Sequence, residues 1–495
     1  MVEGKPVTGT YGGAIRWNLA GSVLRVCITL GCQLVLLRIL GPTIAGQFAI
    51  FLIIVGIGTV LSEGGMMATL SRAPSLDTAT LRAALFLVIC YATGVCLVLL
   101  ACAPFLIAVF NLSPEQHYLP YAAIANVLPL GLSSVPMTVL RRQYRAREAQ
   151  FVGIVSYALG FAVFAVPAAL LAPSVRVMVI AFSIQTGVTV VAAWGLTKAP
   201  LVPSPAGTRS LQSTSWRALL NNGFYYLNEN AANFLTANTI GARSLGLYNA
   251  SFNLLRMPSD LLTSALHSPL LVSAAECAEA GQTGKRFRSI LDCLASTIFA
   301  VYFAACFTGS LMIVPLLGDK WIDAGPVLAV VAIAMAARVV SNLTGAVLAG
   351  VGKLIADAGA QAFALALLIA GFLRFSPTDA LQVAFIVTMA MGGRMIVQLA
   401  FAARALGLDL TALFKSFILP SALTALMMSP LIIIAPILLP QYGIYGFFGV
   451  GASAAVLLAA RVAIAVWLIR SDWATQLQTS ARHFFSVRQS REKAF

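Results

Sequence analysis

The chain has 495 residues, of which 59% are hydrophobic and only 10% charged, with a mean hydropathy of +0.90. Soluble domains carry roughly 25% charged residues, so this composition excludes a soluble enzyme and points to a polytopic membrane protein. The net charge of +15 then reads as a bias of the loops, because cytoplasmic loops collect Lys and Arg, and not as a nucleic-acid footprint.

The apolar runs are continuous and rich in Leu, Ala, Ile and Val, without the two-residue alternation of membrane strands, which predicts an all-α fold. Residues 1–14 lack a short apolar core with a small-residue cleavage site. They are expected to be an uncleaved cytoplasmic N-terminus. Fourteen spans are predicted: 15–38, 46–70, 82–110, 119–140, 151–172, 177–197, 217–240, 246–273, 289–316, 324–350, 355–373, 380–402, 413–437 and 443–469. The connection 198–215, with three prolines and several Ser and Thr, reads as a cytoplasmic linker. It separates an N-lobe of six spans (15–197) from a C-lobe of six more (216–403) around a central cavity. Two extra spans (404–470) and a basic cytoplasmic tail (471–495) follow. With the N-terminus inside, the inner connections hold Arg141, Arg142, Arg145 and Arg147, then Lys285, Arg286 and Arg288. The outer ones hold only Arg38, Arg176, Arg243, Lys320 and Arg374. A missed span would invert every later loop and blur this asymmetry, so both termini are expected inside.

A short pattern appears twice. Leu40-Gly41-Pro42-Thr43-Ile44-Ala45-Gly46-Gln47-Phe48 follows the first span, and Ile240-Gly241-Ala242-Arg243-Ser244-Leu245-Gly246-Leu247-Tyr248 follows the seventh. Glycine ends a helix by taking φ > 0 and Pro42 bars continuation, so each copy is expected to be a tight reversal. Both would face the periplasm as rigid corners and candidates for the outer gate. A fainter echo, Leu140 to Tyr144 against Leu348 to Gly352, follows the fourth span of each half. The halves then form a parallel repeat.

Motifs of enzymes are absent: there is no P-loop, GxSxG, HExxH or Rossmann fingerprint, so no enzymatic activity and no cofactor are expected. The eight cysteines form no CxxC pair and read as small buried apolar residues. His117, His267 and His483 are too scattered for a metal site. Chemistry therefore rests on ionisable residues within the spans, each of which costs ~2.5–3.5 kcal/mol at mid-membrane on insertion scales. Arg25 lies in the first span with no acidic residue four positions away, and Arg338 lies in the tenth. Arg256 and Asp260, in the eighth, are spaced i,i+4 and can pair along one face. Glu63 lies within the second span among small residues, in Leu61-Ser62-Glu63-Gly64-Gly65. The seventh span, with Asn222, Glu229 and Asn230 beside Tyr225 and Tyr226, is too polar to face lipid. An arginine fork suits diphosphate oxygens, which makes Arg25, Arg256 and Arg338 candidates for binding an anionic substrate. Glu63, Glu229, Asp260, Asn222 and Asn230 are candidates for the cavity lining and for H+ or Na+ coupling.

Leu40-Gly41-Pro42 with Gly46-Gln47-Phe48-Ala49, and the later run from Ile240 to Ala250 continuing to Arg256-Met257-Pro258, resemble Wzx-type polysaccharide transporters. So do Leu317-Gly318-Asp319-Lys320-Trp321-Ile322-Asp323-Ala324 and Leu348-Ala349-Gly350-Val351-Gly352-Lys353. The resemblance covers about residues 10 to 400. It implies membership of the multidrug/oligosaccharidyl-lipid/polysaccharide exporter superfamily, with two six-helix lobes about a cationic cavity and alternating access. The implied function is flipping undecaprenyl-diphosphate-linked oligosaccharide units across the bacterial inner membrane for O-antigen, capsule or exopolysaccharide. Lipid II flippases related to this family use arginines in their first helices, for which Arg25 and Arg256 are the counterparts. Implied partners are the lipid-linked oligosaccharide, H+ or Na+, membrane lipids and the polysaccharide polymerase machinery, with no nucleic acid. The alternative is a cation-coupled drug or metabolite antiporter of the same superfamily, whose cavity would carry acidic and aromatic residues without an unpaired arginine. A polymerase or ligase is disfavoured because every outer loop is short.

Overall fold

The structure, a computed structural model, describes residues 11–409 except 74, 75, 144, 198, 199, 201 and 278–282, together with the isolated positions 411, 422 and 426. The expected spans at 413–437 and 443–469 and the tail lie outside the described residues. The described chain is helical throughout: α1 (Tyr11–Glu63), α2 (Met66–Arg72), α3 (Thr78–Ala101), α4 (Ala103–Val109), α5 (Tyr118–Arg142), α6 (Ala146–Tyr157), a π-helical segment (Ala158–Ala165), α7 (Val166–Leu171) and α8 (Val175–Thr197). Then come α9 (Thr208–Thr239), α10 (Ala242–Cys277), α11 (Thr283–Leu317), α12 (Ala324–Gly350), α13 (Leu354–Phe375) and α14 (Ala380–Leu406). The twelve spans expected before residue 409 all fall on these helices. Among the described residues, eight helices are long and apolar enough to cross a membrane. The protein is an all-α, multi-pass membrane protein.

The boundaries differ from the expected ones where single residues control them. The reversal at the first repeat is one residue, not nine. Gly41 alone leaves the helical region (φ 78, ψ 175), and helix resumes at Pro42, whose missing N–H is harmless in a first turn. Gly241 (φ 94) does the same between α9 and α10. Helix α9 begins at Thr208, so the last part of the expected linker is helical. Leu211 there is buried with Met66, Leu70 and Leu81. The fifth span widens into a π-helix. Pro167 has no N–H for the Val163 carbonyl, which would otherwise be its partner four residues back, and a wider turn accommodates this. Gly160 lets α8 approach: a Cβ there would lie 2.5 Å from the Ala181 carbonyl oxygen.

Contacts divide the chain into two compact units. The first comprises residues 1–250, 316–321 and 375–383, and the second the remainder. The core of the first unit gathers Phe51, Ile50 and Ile54 of α1 with Leu119 of α5, Val175 of α8 and Leu245 of α10. Phe51 and Phe182 meet edge to face, with ring centroids 5.4 Å apart. At Gly41, the last carbonyls of the preceding α1 arm lose their helical partners, and the segment Leu316–Trp321 supplies replacements. The Trp321 indole Nε1 donates to the Leu37 carbonyl oxygen at 2.9 Å and Lys320 Nζ to that of Ile39 at 3.2 Å, while Arg38 Nη1 donates to the Leu316 carbonyl oxygen at 3.3 Å. Trp321 is fully buried. Replacing it with Phe keeps the ring and removes the donor, so a loss of about 1 kcal/mol is expected, read as a lower melting temperature in detergent.

The second unit is built on α12, whose residues from Ala324 to Leu348 are mostly buried. Tyr302 of α11 donates its hydroxyl to the Leu255 carbonyl oxygen of α10 at 3.0 Å, and Thr388 of α14 donates to that of Val330 in α12 at 3.2 Å. Of the described cysteines, Cys27, Cys90 and Cys102 are exposed, and Cys32, Cys96 and Cys306 are half-buried; all six are free thiols. The expectation that they are buried is corrected for these six: a small, weakly polar thiol is tolerated on an exposed helix surface as well as in a core.

Candidate functional site

In the first unit, Arg25 lies on α1 against α6. Gly153 makes its seat, since a Cβ there would lie 3.2 Å from Arg25 Nη1. Around it the two helices are joined by polar contacts: Gln150 Nε2 donates to Ser22 Oγ at 3.2 Å, and the Tyr157 hydroxyl donates to the Thr29 carbonyl oxygen at 3.4 Å. The Tyr157 ring stacks on Phe161 of the π segment, 4.8 Å between centroids. Arg25 itself is exposed. Among the described residues no carboxylate pairs with it. A guanidinium in a span with its fork unclaimed can bind an anion.

Glu63 ends the second arm of α1, half-buried, just before Gly64 (φ 54) and Gly65 (φ 71) break the helix. Two glycines are needed because two successive residues take the left-handed conformation. The Gly64 carbonyl oxygen accepts a hydrogen bond from the Ser215 hydroxyl of α9, and the Tyr91 ring occupies the space a Cβ at Gly64 would need. Arg141 of α5 is the cation that acts on Glu63. Its neighbour Arg142 donates to the Leu70 carbonyl oxygen at 2.7 Å.

Helix α9 meets α1 through Tyr226. Its hydroxyl donates to the Ile53 carbonyl oxygen at 3.1 Å, over Gly56, where a Cβ would lie 2.0 Å from that hydroxyl. Asn230 turns its amide back on the Tyr226 carbonyl oxygen at 3.0 Å, and Asn222 and Glu229 are half-buried. The polar character of the seventh span is thus spent partly on its own backbone and partly on docking to α1.

The sharpest contact in this unit joins the two repeat copies. A Cβ at Gly46 would lie 1.7 Å from the Ala242 carbonyl oxygen, and one at Gly246 would lie 1.9 Å from that of Pro42. Residue 42 is to 46 as 242 is to 246, so the contact is reciprocal. The second glycine of each copy reads in the sequence as part of the turn. It lies instead in the helix after it, just past the first turn, where two backbones touch.

In the second unit, Asp260 sits between two arginines. Arg256 Nε donates to Oδ2 at 2.8 Å, and Arg338 Nη2 reaches Oδ1 at 3.5 Å. Arg338 is 4% exposed, and its guanidinium lies 5.8 Å from the centre of the Phe252 ring, a cation–π distance. The i,i+4 pairing of Arg256 with Asp260 was legible in the sequence; the approach of Arg338 was not, since 78 residues separate it from Asp260. Two guanidiniums thus meet on one carboxylate. Among the described residues no three His, Cys, Asp or Glu side chains gather as metal ligands.

By fold, the chain is similar to the lipid II flippase MurJ in an inward closed conformation (TM-score 0.66, 11% identity, covering 90% of this chain and 100% of that one). It is also similar to a multidrug resistance MATE family transporter of the MOP superfamily in an inward-facing conformation (0.62, 14%, 79% and 96%). A third likeness is to a MOP superfamily transporter from Pyrococcus furiosus with a binding pocket of reverse polarity (0.56, 13%, 83% and 98%). No curated protein matches by sequence. A family model described as polysaccharide biosynthesis protein matches residues 35–326, more than half of the chain, and the chain therefore belongs to that family.

Proposed function

We propose that the protein is a flippase that moves undecaprenyl-diphosphate-linked oligosaccharide units across the bacterial inner membrane for a surface or exported polysaccharide. It works by alternating access of lobes 15–197 and 216–403, with both termini in the cytoplasm. Three things support the reading: membership of a polysaccharide biosynthesis family, a fold shared with flippases and multidrug transporters, and the absence of catalytic motifs. The single observation that carries the substrate class is Arg25, a cation in a span with no acidic partner among the described residues and its guanidinium exposed. In this reading Arg25, Arg256 and Arg338 hold the diphosphate, and Glu63, Glu229 and Asp260 answer to H+ or Na+.

Arg25→Ala is expected to lower polymer export from cells on the order of tenfold to a hundredfold at unchanged protein level, the worth of one or two charge-assisted hydrogen bonds. Arg25→Lys should recover part of it, because lysine keeps the charge and loses the fork. Full export by Arg25→Ala would remove that residue from the mechanism. The alternative, a cation-coupled drug antiporter, draws on Glu63 at its helix break. Glu63-dependent efflux of a cationic dye would favour it over the flippase.

A further inference from the structure

The reciprocal contact at Gly46 and Gly246 fixes a register for the repeat. Residue 42 meets 246 and residue 242 meets 46, the mutual pairing that a local two-fold axis produces. Each position of the first copy then has its counterpart two hundred residues on. Followed back from the left-handed glycines Gly41 and Gly241, this register pairs the first arm of α1 with α9, and Arg25 with Tyr225. Each of the two stands sixteen residues before its glycine, or about 24 Å of helix at roughly 1.5 Å per residue. Both belong to the first unit and both are exposed, Tyr225 over more than half of its surface.

Helix α9 has three sides. Tyr226 faces α1 and spends its hydroxyl on the Ile53 carbonyl oxygen. Trp216, Leu220, Phe224 and Leu227 recur at turns of the helix and are exposed, an apolar stripe that suits lipid. Tyr225 belongs to neither side, because successive residues of a helix point about 100° apart. Its neighbours one turn away are Asn222 before it and Asn228 and Glu229 after it, all three half-buried. An aromatic ring therefore stands exposed within a span, with carboxamides and a carboxylate around it. Lipid suits such a surface poorly, since it bonds no polar group. A pyranose matches it. One face of the sugar carries weakly positive C–H bonds, which the negative face of an aromatic ring attracts. Its rim carries hydroxyls, which exchange hydrogen bonds with side-chain amides. An aromatic surface with a few placed polar groups is how small-ligand sites fix orientation.

We infer that Tyr225 is the platform on which a sugar ring of the transported head group stacks, with Asn222 and Asn228 taking the ring's hydroxyls. Arg25, its counterpart in the repeat, answers the diphosphate, so the two copies divide one substrate between them. The inference rests on the flippase reading above and adds to it the residues that read the sugar.

The test uses the full-length protein in detergent and two probes: undecaprenyl diphosphate without sugar, and the lipid-linked oligosaccharide extracted from the cells that make the polymer. Tyr225→Ala should weaken binding of the glycolipid by about tenfold, the order of one stacked ring, and leave binding of bare undecaprenyl diphosphate at its wild-type value. Tyr225→Trp keeps a ring and should keep the glycolipid affinity. Asn228→Ala, a smaller change, should show the same split between the probes and carries the test if Tyr225→Ala does not fold. Arg25→Ala should weaken both probes, and Leu220→Ala, on the apolar stripe, neither. Wild-type glycolipid affinity in whichever of Tyr225→Ala and Asn228→Ala folds would overturn the inference. Equal weakening of both probes would overturn it too, since that is what a merely structural role gives. Arg25-dependent binding of bare undecaprenyl diphosphate, with no effect of Tyr225 on the glycolipid, would sink this inference and leave the flippase reading standing. Wild-type protein that binds neither probe would remove the flippase reading and this inference with it.

Discussion

Replacing Gly46 with valine should be among the most damaging single changes in the chain, and Gly246→Val should match it. The Cβ alone would enter the carbonyl of residue 242 or 42, and both obstructing atoms are backbone, so no side chain can rotate aside. Relief requires the start of α10 to move away from the second arm of α1. Overpacking in a well-packed interior costs typically 1–3 kcal/mol, and a backbone clash of this kind belongs at or above ~3 kcal/mol. Alanine should already show most of the effect. The reciprocity of the contact adds a sharper expectation. Once the first substitution has parted the two backbones, the second should cost little, so the double variant should lose far less than the sum of the singles. Melting in detergent across wild type, Gly46→Ala, Gly246→Ala and the double variant measures this cycle. Additive losses would mean that the two glycines do not share one contact. In the flippase reading these corners are the outer gate, and export should fall with the first substitution in step with that loss.

The repeat shows what a sequence can and cannot carry. Gly41 and Gly241 are legible because a left-handed residue between two helices nearly demands glycine. Gly46 and Gly246 carry the same letter for a different reason. Their φ is ordinary, and what excludes a side chain is another backbone two hundred residues away, which no local pattern reports. Gly153 and Gly56 are likewise explained only from afar, though by side chains, those of Arg25 and Tyr226. The helices themselves were legible because a membrane span must satisfy its own backbone hydrogen bonds, so continuous apolar runs have one outcome. The π segment was not, because Pro167 permits either a kink or a widened turn. Among charged residues, Arg256 and Asp260 were legible as a local pair, whereas Arg338 joins them through packing of α10 against α12. The long-range contacts of Asp357 are hidden for a related reason, since Gln398 and Gly345 lie on two other helices.

Asp260→Ala should destabilise the second unit by about 2–4 kcal/mol. Removing one partner of a buried ion pair costs about 3–5 kcal/mol because it leaves the other charge uncompensated, and Asp260 is partly exposed, which lowers the figure. The penalty comes from Arg338, whose side chain is 4% exposed and cannot reach bulk water without opening α12. Arg256, with its side chain 42% exposed, can turn outward at little cost. Arg338→Met in the Asp260→Ala background should therefore restore much of the stability, since it removes the buried charge that faced Asp260 while keeping the volume over Phe252. Arg256→Met in the same background should restore little. Detergent melting of the three variants separates the two arginines. If Arg256→Met rescues and Arg338→Met does not, the buried charge is not what makes Asp260 necessary. Export then adds an independent reading. A cluster that only holds α10 to α12 should recover function along with stability in Asp260→Ala with Arg338→Met. One that binds diphosphate should regain its fold and still fail to export, because the guanidinium that answers the phosphate oxygens is gone.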